Sequence, residues 1–154
     1  MAAQGRTDPE RKLAELGIDL PTAAAPLANY VPWTRSGTLV FLAGHVSAAS
    51  GTVGGGLTVE EGNAAARDAC VRLLGTLRLA AGGDLGRVQR ILKVTGFVNS
   101  TAEFTAQSQV LNGCSDLLVA VFGDAGRHAR AAVGVASLPL GRAVEIELVA
   151  EVLP

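Results

Sequence analysis

The chain of 154 residues carries 13 Lys and Arg against 14 Asp and Glu, a formal charge of −1, and so lacks the cationic excess that nucleic-acid backbones call for. Its apolar fraction is 49% but its aromatic fraction only 4%, which predicts one domain over residues 1–154 with an aliphatic core and close helix-to-sheet contacts. The N-terminal stretch has no apolar signal-type run and no later run is long enough for a bilayer, so a cytoplasmic protein with neither a nucleic-acid nor a membrane partner is expected.

Residues 1–24 read as a short helix and an extended lead-in. Asp8-Pro9-Glu10 starts the helix, with Asp as cap and Pro in the first turn, and Gly17 stops it. The proline-punctuated PTAAAPLANYVPW that follows is extended. Thr38 to Ser47 is apolar enough for a central strand. SAASGTVGGG is a loop, and its glycines lack the spacing of a phosphate-binding fingerprint. Thr58-Val-Glu-Glu61 is a capping box opening a helix to about Ala81, ended by Gly82-Gly83. Its buried stripe comprises Val59, Ala66, Ala69, Leu73, Leu77 and Ala80, while Arg67, Asp68, Arg72 and Arg78 belong to the solvated face.

GRVQRILKVTGFVNS alternates as a strand. Ser100-Thr-Ala-Glu103 reads as a second capping box, with a second long helix from Phe104 to Phe122. After the Gly123–Gly126 turn come two alternating runs, AAVGVAS and RAVEIELVAEV, joined by LPLG and read as close antiparallel arms. The order predicts an α+β layer with both long helices on one sheet face. The other face is apolar enough to need cover, and a second copy of the chain is the expected cover. Cys70 and Cys114 fall in the helices without metal-ligand or redox spacing, so buried free thiols, no metal and no cofactor are expected.

Arg130 opens the first of the closing runs; Glu145 and Glu147, two apart, share one face of the second. A guanidinium in that place is either half of a structural ion pair with one of these carboxylates or a fork for a small carboxylate ligand. His45 is either a donor or base, or a strand-end histidine bonded to backbone. His128 either lines a pocket mouth or caps the second helix. Ser115-Asp116 with either histidine makes no ordered triad.

The segment Ala129, Arg130, Leu138, Pro139, Val144, Glu145, Ile146, Glu147 resembles the closing strands of the RidA family (YjgF, YER057c, UK114), and the resemblance covers roughly residues 25 to 152. It can be followed backwards. Tyr30 stands thirteen residues ahead of Ala43-Gly44, where the family has Ser-Gly; Asn112 precedes Arg130 by eighteen residues and Glu145 follows it by fifteen. Ala132 stands where many members have Cys. The resemblance implies a chorismate mutase-like fold, a homotrimer with sites in clefts between neighbours, and hydrolysis of a small 2-imino acid to a 2-keto acid and ammonia. In that reading Arg130 grips the substrate carboxylate with Asn112 nearby, Glu145 handles the attacking water and Tyr30 positions water or nitrogen. Ala43, Gly44, His45 and Ala132 line the substrate site. The alternatives are a trimer that binds a small carboxylate without turnover, a biosynthetic role on an unusual intermediate, and the ribonuclease activity of an old family label, against which the near-neutral charge speaks.

Overall fold

The computed structural model describes residues 7–23, 25–26 and 28–154; residues 1–6 and 24 of the expected lead-in, and residue 27 of the proline-punctuated stretch, lie outside it. In chain order the elements are α1 (Pro9–Glu15), β1 (Trp33–Ser36), β2 (Leu39–Val46), α2 (Val59–Ala80), β3 (Val88–Asn99), α3 (Gln107–Phe122), β4 (Ala129–Val135) and β5 (Val144–Val152). One sheet runs β1-β2-β5-β3-β4, antiparallel throughout except for the parallel pair β3 and β4.

The α+β layer is as the alternation requires. On β5 the even-numbered Val144, Ile146, Leu148, Ala150 and Val152 are buried under the helices, and the odd-numbered positions face away. Helix α2 answers with Ala66, Ala69, Leu73 and Leu77, all fully buried, and α3 with Leu111, Leu117, Leu118 and Phe122. The two helices touch at Gly113, where a side chain would collide with the Asn63 carbonyl at 2.0 Å. Beside that contact Cys70 and Cys114 are buried free thiols; Cys70 Sγ lies 3.8 Å from the Cys114 carbonyl, and its partnership with Cys114, then burial, push the Cys70 thiol up.

The box at Thr58 is complete: Glu61 N–H donates to Thr58 Oγ1 at 3.1 Å and Thr58 N–H to Glu61 Oε2 at 2.7 Å. The box expected at Ser100 does not form. The Ser100 amide donates to Val135 and that of Thr101 to Val53, which holds the backbone extended, and α3 starts at Gln107 behind Ala106 with no side-chain cap. The close antiparallel arms are a second correction, because β3 lies between β4 and β5. Burial explains the order. The inward residues of β5 suit a strand paired on both edges, whereas β4 exposes Val133 and Gly134 and stays at the rim. A short strand also stands just after the prolines of the extended stretch: β1 pairs with β2 through the two-residue turn Gly37-Thr38, with Gly37 at φ +59°.

Candidate functional site

Arg130 sits on the rim strand β4 opposite Val94 of β3, and Val94 lies opposite Leu148 of β5. Both neighbours are buried beneath the helices, so the half-buried Arg130 side chain points to the helix side and meets α3. Nη1 donates to Asn112 Oδ1 at 2.9 Å and to Ser115 Oγ at 3.1 Å, and Nη2 to the Ser108 carbonyl at 3.3 Å. Three of the five guanidinium N–H groups are thereby used, leaving Nε–H and one N–H of Nη2. Neither Glu145 nor Glu147 pairs with it, so the ion-pair alternative is not what folds; β3 stands between the two strands and the acids face the opposite side.

The anchor extends one residue further. Ser115 Oγ is 2.9 Å from His128 Nε2, and His128 Nδ1 is 2.6 Å from the Gly126 carbonyl. A proton on Nδ1 satisfies that carbonyl and leaves Nε2 to accept from the Ser115 hydroxyl, whose oxygen then accepts from Arg130. Burial, with Arg130 nearby, lowers the His128 pKa and favours this neutral form. His128 therefore ties the turn to α3 instead of lining an opening. Ala132, next on the same face of β4, packs against the core edge.

The other candidate residues gather at the far end of β2. The pairing of β2 with β5 slips between Leu42 and His45, so the chain bulges at Ala43-Gly44. Glu145, opposite Val46 and Phe97, lays its carboxylate over Gly44, where a Cβ would fall 2.1 Å from Oε1. Burial, then the charge of Glu147, raises the Glu145 pKa above its ordinary value. Tyr30, Ala43, Gly44 and His45 line a cavity of about 220 Å³ together with Arg72 and Thr76. Tyr30 is 52% exposed at its edge. His45 is held on both ring nitrogens, Nδ1 2.8 Å from the Ala43 carbonyl and Nε2 2.7 Å from Thr76 Oγ1, and burial lowers its pKa. It is a neutral, backbone-bonded strand-end histidine whose acceptor nitrogen is already occupied.

One copy of the chain thus forms two groups: Arg130 with Asn112 near Ala132, and Tyr30 with Ala43, Gly44, His45 and Glu145. The side chains of Arg130 and Glu145 leave the sheet from opposite faces. Sequence reasoning misses Ser115 as a partner of Arg130, although Ser108, Asn112 and Ser115, spaced four and three apart, form a polar stripe along one side of α3. Among the described residues no group of three or more His, Cys, Asp or Glu is placed to hold a metal, and no helix is long and apolar enough to cross a membrane.

A five-stranded sheet in this order, with two long helices on one face and a neutral-anchored arginine at its rim, defines a chorismate mutase-like α+β protein. The chain belongs to the family described as "YjgF/chorismate mutase-like, putative endoribonuclease", which matches residues 10–152 and is the RidA family of the sequence resemblance. It is 46% identical over 158 residues to Protein TCP17 of Trypanosoma cruzi, covering 98% of this chain and 97% of that one. Atu1372 of Agrobacterium tumefaciens, a protein of unknown function, is 41% identical with a TM-score of 0.87, over 94% of this chain and 92% of that one. A Shewanella oneidensis protein described as a putative endoribonuclease is 33% identical with a TM-score of 0.91, over 95% and 100% respectively. TdcF of Escherichia coli, at 23% identity and a TM-score of 0.59 over 87% and 96%, shares the fold.

Proposed function

We propose that this protein hydrolyses a small 2-imino acid to the 2-keto acid and ammonia, in a cleft completed when a neighbouring copy brings its Arg130 to the Glu145 and Tyr30 of the first. The observation that carries this reading is the guanidinium of Arg130, half-buried and fixed by three neutral oxygens, with no carboxylate of its own chain against it. A half-buried cation oriented this firmly is a ready seat for an anionic ligand, and its two spare N–H groups match a carboxylate.

The chemistry asks little beyond positioning. Arg130 holds the carboxylate and so fixes the adjacent imine carbon. Glu145 takes a proton from a water as the water oxygen bonds to that carbon, and returns it to the nitrogen; the aminoalcohol then expels ammonia and leaves the ketone. Burial raises the Glu145 pKa, which brings it closer to a useful base at neutral pH. Tyr30, at the cavity edge, is placed to bond the nitrogen or the water through its hydroxyl.

The open sheet face supports assembly. Phe41 and Val133, on strands at either side of it, are 42% and 44% exposed, apolar surface that a neighbouring copy would cover. A homotrimer is the assembly proposed. The crystal structure of TdcF holds bound serine, a small amino acid comparable in size to a 2-imino acid. The second reading, a trimer that binds a small carboxylate without turnover, is favoured by Ala43 and Ala132, which bring neither hydroxyl nor thiol to the site. To separate them, 2-imino acids are generated with an amino-acid oxidase and their decay is followed with and without the protein. Acceleration that falls about a hundredfold or more in Arg130→Ala supports hydrolysis. Calorimetric binding of pyruvate without acceleration would establish the binding reading instead.

A further inference from the structure

The cavity beside Gly44 is lined by a charged residue that the hydrolytic reading does not use. On α2, Asp68, Arg72 and Thr76 recur every four residues and so share one face, turned toward the end of β2. Asp68 is itself fixed: its Oδ2 accepts the Ala48 amide at 2.7 Å and Arg72 Nε at 3.0 Å. This ties Arg72 by its Nε edge. Its two terminal nitrogens have no partner among the described residues, and the side chain lines the cavity. Thr76 and His45 satisfy each other, and His45 is neutral, so neither competes for an anion. The walls are Pro21, Pro32 and Ala43, apolar and small, and Gly75 lets the Pro21 carbonyl approach α2 where a Cβ would stand 2.4 Å from it. Among the described lining residues Arg72 bears the one fixed charge.

We infer that this cavity receives the side chain of the substrate and that Arg72 binds an acidic group at the tip of that side chain, so that the preferred ligand is a dicarboxylic 2-imino acid of four or five carbons. The inference rests on the hydrolytic reading for the reaction but not for the grip. A cavity walled largely by prolines and alanines and lined by one oriented guanidinium fits a short methylene chain tipped by a carboxylate. At about 220 Å³ the space greatly exceeds the ~10–15 Å³ a single water needs, and holds such a chain. Ala43 fits the same picture, because a methyl wall beside methylenes leaves no hydroxyl unsatisfied. Arg72 is 44% exposed and shares its charge with Asp68, so its effect is modest, about tenfold in discrimination.

The test compares 2-iminoglutarate with 2-iminopropionate, each made by an amino-acid oxidase, and runs calorimetric titrations of 2-oxoglutarate and pyruvate in parallel. The expected result is a higher kcat/KM for the diacid, and a diacid-to-monoacid ratio that falls about tenfold in Arg72→Gln and is partly restored in Arg72→Lys. Arg78→Gln, which removes a charge elsewhere on the same helix, leaves the ratio unmoved. A ratio unchanged in Arg72→Gln, or lowered equally by Arg78→Gln, overturns the inference while leaving hydrolysis standing. If neither imine is accelerated but 2-oxoglutarate binds more tightly than pyruvate, and only with Arg72 present, the grip stands and hydrolysis falls.

Discussion

Gly44→Ala is the sharpest probe of Glu145. The added Cβ would lie 2.1 Å from Glu145 Oε1, against ordinary contact at 3.4 Å and beyond, so the carboxylate must retreat by roughly 1.3 Å. The residue in the way is the far end of a flexible side chain and Gly44 has no left-handed backbone, so the retreat costs little stability. A shift of about 1 Å in a group that must meet a water and an imine carbon is costly to rate, about a hundredfold. The expected result is therefore a fall in kcat/KM of about that size with the thermal midpoint within a few degrees of the parent. The double variant Gly44→Ala with Glu145→Gln isolates the cause: if the methyl acts only by displacing this carboxylate, it costs nothing further once the carboxylate is gone. Full activity in Gly44→Ala, or a penalty that adds in full to that of Glu145→Gln, refutes the role given to Glu145.

Ser115→Ala removes one acceptor of Arg130 and the partner of His128; a KM raised several-fold with a smaller change in kcat is expected from steady-state kinetics, since the guanidinium loses part of its orientation. The raised pKa of Glu145 has a defined sign in stability: between its ordinary value of 4.5 and its folded value the native state holds the extra proton, so the contribution of Glu145 declines as pH rises through that window. Glu145→Gln should accordingly melt above the parent at pH 7, with the gap closing below about pH 4, and calorimetric melts at both pH values check it. Phe41→Glu places a charge on the open sheet face and should shift the sedimentation coefficient toward the single chain.

Local signals are legible in the sequence and non-local ones are not. Thr58 and Glu61 satisfy each other within one turn, so their pattern needs no knowledge of the rest of the fold. Ser100 and Glu103 carry the same pattern, but the amides at 100 and 101 are claimed by Val135 and Val53, which sequence spacing cannot reveal. Alternation on β5 assigns its faces correctly; it is silent on neighbours, and β3 takes the place expected of β4. At the candidate site, it is the family resemblance and not spacing by itself that relates Arg130 to Asn112 and Tyr30 to Gly44, and each pair stands in one of the two groups. Arg72 reads as a solvated helix charge because most such residues are; its place in the cavity depends on the lead-in folding back over α2, a tertiary event with no local signature.

The distance between those groups sets up the strongest test of assembly. Arg130 and Glu145 are two strands apart, which at about 4.8 Å per strand is roughly 10 Å, and they project from opposite faces. The carboxylate and imine carbons of a 2-imino acid are one bond apart, about 1.5 Å. One copy thus does not bring both side chains to one substrate, and in the proposed cleft each of two copies supplies one of them. Arg130→Ala and Glu145→Gln, each reduced to residual activity alone, should then rescue one another when co-expressed with different tags and purified as mixed assemblies. With random mixing, an interface joins an intact Arg130 to an intact Glu145 in about one quarter of cases, so about a quarter of parental activity per site is the expected yield. Mixed assemblies no more active than the two single variants would place both groups to work within one chain or neither to work at all, and either outcome removes the shared cleft.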